Sequence, residues 1–117
     1  MRIKLCEKYK NERENICEKL IDILQLDSNN SFLLCDLDTD IEKQEKIMMM
    51  KDEIQKYFAC SEISAFKPNF ECKRPYLNIV RGIIRKQGYT FLSTDIDIKM
   101  ETNVFKRTTK YIILRNN

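Results

Sequence analysis

Lys73-Arg74-Pro75-Tyr76-Leu77-Asn78-Ile79-Val80-Arg81-Gly82-Ile83-Ile84-Arg85-Lys86-Gln87-Gly88 is the stretch on which the reading of the fold turns. Proline suits the first turn of a helix, where its missing N–H would have no partner. Glycine suits the left-handed residue just past the end. The pair therefore predicts a helix from about 75 to 87. At about 100° per residue, Tyr76, Leu77, Ile79, Val80, Ile83, Ile84 and Gln87 cover one side of it. Arg74, Asn78, Arg81, Gly82 and Arg85 gather within roughly a third of the circumference opposite. Between Lys73 and Lys86 there is no acid. A merely solvated face usually mixes acids with bases. This one has the chemistry of polyanion recognition, since guanidinium groups contact phosphates and guanine edges in bidentate fashion and Asn pairs with adenine.

Downstream of Gly88 the apolar spacing changes. Phe91-Leu92, Ile96, Ile98 and Met100 lead to Glu101-Thr102-Asn103, and Val104 to Leu114 returns rich in Thr, Tyr and Ile, which predicts a terminal β-hairpin. The hairpin brings a second basic group: Lys99 before the tip, then Lys106, Arg107 and Lys110 after it. Pairing of Asp95 and Asp97 on the first strand across to Lys110 is the structural alternative for part of that charge.

Upstream, Ile3 to Leu26 carries apolar residues at near-helical spacing, interrupted by the wholly polar Lys10 to Asn15. Asp27 to Ser31 is a turn cluster that stops this helix. Phe32-Leu33-Leu34-Cys35 is expected as a short strand. Thr39 and Glu42 form a capping box for a second helix over about 40–59. Within it Met48-Met49-Met50 cannot share one face, so at least one Met is expected to be exposed. Ser61 is expected to cap a short helix over 62–66, ended by Lys67-Pro68.

Composition narrows the possible functions. The 117 residues suit one domain, and 43% hydrophobic with 33% charged residues is too apolar for disorder and too charged for a membrane protein. No apolar run approaches the roughly 20 residues that cross a bilayer. The charged start, Met1 to Glu7, does not read as a signal peptide, so a cytoplasmic or nuclear location is expected. Histidine is absent, which removes the commonest general base and metal ligand. The five cysteines, Cys6, Cys17, Cys35, Cys60 and Cys72, contain no C-x-x-C pair and are expected as reduced packing residues. On a strand, Asp36, Asp38 and Asp40 would share one face as a cation cluster. The calcium-loop pattern is incomplete there, with Ile41 in place of its glycine, so Asp38 or Asp40 is expected instead to assist the start of the second helix. No glycine-rich phosphate loop or nucleophile elbow is present. Neither metal nor cofactor is expected, and the chain reads as non-enzymatic.

Charge is uneven along the chain. Residues 1–58 hold 10 Lys+Arg against 13 Asp+Glu, a net −3, and residues 59–117 hold 11 against 5, a net +6. The basic half is expected to face a polyanion, and the acidic half, with the 1–30 helix and the Met-rich helix, to offer a seam for a homodimer.

The order helix, short helix, basic amphipathic helix and terminal hairpin resembles the winged helix-turn-helix DNA-binding domains, over roughly residues 40–115. The resemblance implies an α+β fold, a small helical domain with the C-terminal hairpin as its wing. It implies that the 75–87 helix enters a major groove through Arg74, Asn78, Arg81 and Arg85, flanked by Lys73 and Lys86. It further implies that Lys99, Lys106, Arg107 and Lys110 of the wing reach backbone phosphates, in DNA rather than RNA. The 67–74 turn is longer than is usual between the paired helices. An alternative registration lets the first helix, the 32–35 strand and the second helix open the winged unit. Size and composition also resemble small accessory proteins of large DNA viruses. A protein-interaction module dimerising through its N-terminal helices is the alternative expectation.

Overall fold

The structure, a computed structural model, describes residues 9–58 and 70–115. Among these residues the elements are α1 (Lys10–Leu24), β1 (Ser31–Leu33), α2 (Leu34–Thr39), α3 (Ile41–Met48), α4 (Lys51–Phe58), α5 (Pro75–Lys86), β2 (Tyr89–Lys99) and β3 (Phe105–Arg115). The fold is mixed helix and sheet, with one three-stranded antiparallel sheet in the order β1-β3-β2. No described helix is long and apolar enough to cross a membrane. The expected 62–66 helix and its Ser61 cap lie outside the described residues, as do the first turns of the helix predicted from Ile3, together with Cys6 and Cys60.

Helix α1 ends where Gln25 turns left-handed, and Asp27 then organises the turn. Its carboxylate accepts from the backbone N–H groups of Asn29 and Ser31 and from the Ser31 hydroxyl. That delivers Ser31 to the edge of β3, opposite Ile112. The strand stops at Leu33, two residues short of expectation, because the backbone from Leu34 coils into α2. The Cys35 N–H is instead taken up by the Thr108 side-chain oxygen at 3.1 Å. Asp36 and Asp38 are therefore helical and do not alternate along a strand. Among the described residues no group of acids or cysteines is placed to hold a metal ion.

The cap of the next helix is Asp40, whose carboxylate accepts from Lys43 N, as the dipole reading expected and the capping box did not. The Thr39 hydroxyl donates back to the carbonyls of Cys35 and Asp36. Gln44 Nε2 donates to the carbonyls of Leu37 and Asp38, satisfying the end of α2. The single helix expected over 40–59 is two. A tightened turn, with Met50 N bonded to Ile47 O, separates α3 from α4, leaving Met49 82% exposed and Met50 buried. Ile47, Met50, Ile54 and Phe58 still face inward together, which is why apolar spacing alone does not register the break.

Helix α5 runs almost as read, and buries Leu77, Ile79, Val80, Ile83 and Ile84 against α1, α3 and β2. Helix α1 contributes Ile16, Cys17, Leu20 and Leu24 to the same core, so the apolar face expected at a dimer seam is already covered within the chain. Burial pushes the Cys17 thiol pKa up to about 12. Gly88, at φ +88°, turns the chain from α5 into β2, and a side chain there would meet nothing within 4 Å. Gly88→Ala should therefore cost about 1 kcal/mol through backbone strain alone. Gly88→Asn should cost less, both read from urea unfolding midpoints.

Candidate nucleic-acid interface

Strand pairing decides which hairpin residues share a side with α5. Phe91, Tyr111 and Ile113 are buried, so the side they occupy faces the core and the helix. Side chains alternate along a strand, and the register places Phe91/Ile113, Ser93/Tyr111, Asp95/Thr109, Asp97/Arg107 and Lys99/Phe105 on this helix side. Leu92/Ile112, Thr94/Lys110, Ile96/Thr108 and Ile98/Lys106 occupy the other. Beyond Ser93 the hairpin outruns the core and its helix side opens to solvent.

On α5 the opposite face from the core carries Asn78, Arg81 and Arg85, as read. Arg85 is exposed, and its guanidinium lies 5.9 Å from the centroid of the buried Phe91 ring, which places it at the base of the hairpin on the helix side. Arg81 is half-buried and, among the described residues, has no carboxylate partner. Lys73 and Lys86 are exposed, and Lys86 stands about 80° round the axis from Asn78, at the edge of the stripe.

Arg74 has a different role. Its Nε donates to both carboxylate oxygens of Asp38 at 3.0 Å, and Tyr76 Oη donates to Asp38 Oδ1. This ties the start of α5 to α2. Burial opposes ionisation of Asp38, but the hydrogen bonds from Tyr76 and Arg74 outweigh it and hold the carboxyl below the usual carboxylate range. Arg74 is thus a strut that positions the stripe. Beside it a cleft of about 340 Å³, lined among others by Asp38, Asp95, Lys106 and Arg107, joins the helix start to the hairpin.

The hairpin cations divide. Lys99 and Arg107 lie on the helix side, and Lys106, though of opposite parity, borders the Arg74 cleft. Lys110 does not join them. It pairs with Thr94 and Leu33 on the far side, where it lines a separate cleft with Asp27, Asp36 and Lys43. The alternative pairing of Asp95 and Asp97 with Lys110 is replaced accordingly. Asp97 takes Arg107 Nε at 3.2 Å and Asp95 takes the Thr109 hydroxyl. Both members of the Asp97–Arg107 pair are well exposed, so the pair is worth little and yields readily to another anion.

Comparison with family models, with curated proteins and with solved structures returns no match. The candidate interface accordingly rests on its own geometry: cations on the outer face of α5, with Arg85 beside Phe91 on the side of the hairpin that bears Lys99 and Arg107. Sequence reading missed Asp38 and Tyr76 as the clasp, and it missed Phe105, whose ring stands 64% exposed at the hairpin end.

Asp38 generates a pH prediction. Its folded-state pKa is depressed, so its contribution to stability is complete above the unfolded value near 4 and is lost as pH falls through the folded value. Asp38→Asn should lower stability at pH 7 by about 1–2 kcal/mol and flatten the acid limb of a stability–pH profile measured by urea unfolding. An unchanged acid limb would assign that limb to other carboxylates.

Proposed function

We propose that this chain is a non-enzymatic nucleic-acid-binding domain of winged-helix type that engages duplex DNA, with α5 in a major groove and the β2–β3 hairpin as the wing. The observation that carries the reading is the proximity of two basic elements: Arg85 of α5 lies 5.9 Å from the Phe91 ring, on the side of the hairpin that bears Arg107 and Lys99 further out. Two basic elements at an angle suit a duplex, whose phosphates flank the groove that a helix enters. The placement of β1 beside β3 supports the registration in which α1, β1 and the short helices open the winged unit. The acid-free α5 face supports phosphate and base contact over simple solvation, and five apolar side chains behind it give the helix a rigid seat.

In this reading Arg81 and Arg85 make the groove contacts with Asn78 beside them, Lys99, Lys106 and Arg107 take backbone phosphates, and Arg74 orients the helix through Asp38. Four or more phosphate contacts predict that affinity for a duplex falls about 100-fold between 50 and 200 mM salt. Titration of a labelled duplex by anisotropy at the two salt concentrations checks this, and binding indifferent to salt would rule the reading out. The double substitution Arg81→Ala with Arg85→Ala should weaken binding by at least about 30-fold while shifting Tm by no more than a few degrees. Unfolding of that variant would make the two arginines structural.

A further inference from the structure

The hairpin ends in apolar side chains that nothing in the core requires. Phe105 is 64% exposed, Val104 60% and Met100 43%, and among the described aromatic residues Phe105 is the only exposed one. The turn is closed by backbone hydrogen bonds from Met100 N to Val104 O at 2.7 Å and from Asn103 N to Met100 O, with Asn103 at φ 62°. The ring is thus held on an ordered tip. Cations lie beside it: Lys99 directly across the ladder and Arg107, paired with Asp97, two residues along the same side, with Lys106 next in the strand on the opposite side and Glu101 in the turn.

Position adds to chemistry. Phe105 lies on the helix side of the hairpin, the same side as the Phe91 ring over which Arg85 sits. From Ile113, the partner of Phe91, to Phe105 is eight residues of strand, or about 26 Å at roughly 3.3 Å each. With α5 in a major groove, the adjacent minor groove is about half a helical turn away, roughly 17 Å, within reach of that arm. An apolar ring with Lys99 and Arg107 on its own side matches the duplex in cross-section, with base faces at its centre and phosphates at its edge.

We infer that Phe105 is a DNA wedge: resting on the duplex-binding reading above, the hairpin tip enters the minor groove beside the groove held by α5, and the ring inserts at a base step and partly unstacks it. Lys99, Lys106 and Arg107 hold the flanking phosphates while the ring is in place. The wedge kinks the duplex toward the major groove, and so toward α5.

The full-length chain allows a direct test, because it contains no Trp and Phe105→Trp introduces a single emitter at the tip. Saturating duplex DNA should quench that emission by more than half, as stacking on bases requires. The ends of a dye-labelled duplex of about 30 base pairs should approach one another on binding wild type. Phe105→Ala should keep the wild-type Tm and salt slope but bind about tenfold more weakly and leave the duplex straight. Duplex binding with undiminished salt dependence, accompanied by unquenched Trp emission or by a Phe105→Ala affinity equal to wild type, would overturn the wedge and leave the DNA reading intact. Absence of duplex binding by wild type would remove the DNA reading itself. Blue-shifted, brightened emission on phosphatidylserine-containing vesicles with no response to DNA would assign the tip to a lipid surface and overturn the wedge.

Discussion

Burial of one face of α5 is the constraint on which the rest depends. Leu77, Ile79, Val80, Ile83 and Ile84 are each less than a tenth exposed, and they meet residues from α1, α3 and β2 at once. Fixing these five side chains fixes the roll of the helix, because residues three and four apart must share a side. Arg81 and Arg85 then point outward without needing any polar contact to hold them. The same burial positions the hairpin, since Gly88 leads directly from the helix into β2 and Phe91 enters the core three residues later. Helix and hairpin base are in this sense one packed body built from a single stretch of chain.

Two polar clasps secure the ends of that body. At its start, Asp38 receives Arg74 and Tyr76, joining α2 to α5. At its far end, Glu18 of α1 receives Arg115 and Tyr89, joining the first residue of β2 and the last of β3 to the amino-terminal helix. The first clasp is half-buried, with the single Arg74 Nε–H shared between both Asp38 oxygens and Tyr76 Oη donating beside it. The second is mostly exposed and contributes less. Between them lies the apolar core, and the hairpin beyond Ser93 is held by its own ladder, by Leu33 of β1 beside Lys110 and by the Thr108 oxygen that accepts from Cys35 N.

Legibility in the sequence followed the range of the interactions. Helix α5 and the hairpin were readable because their signals are local: Pro75 and Gly88 bracket one, and a change of apolar period marks the other. The short run Phe32 to Cys35 was ambiguous because four apolar residues satisfy either a strand or a helix, and the Thr108 oxygen that ends the strand lies 73 residues away. The capping box competed with Asp40 one residue on, and geometry within a single turn decided between them. The Asp38 clasp left no sequence signal, since its partners are 36 and 38 residues distant. Lys110 was grouped with the other hairpin cations because its parity relative to the core could not be set until the register was known. Phe105 was visible as an apolar residue at the tip, but its exposure depended on where the core stops.

Cys17 carries a different consequence. Its thiol sits on the inner face of α1, is 1% exposed, and keeps its proton far above neutral pH. Only thiolates attack alkylating reagents at useful rates, so Cys17 stays silent while the amino-terminal helix remains seated, whereas the half-buried Cys35 and Cys72 are more accessible. Its labelling rate becomes a clock for the opening of that helix, letting one natural atom report how often the molecule lets go of its own interior.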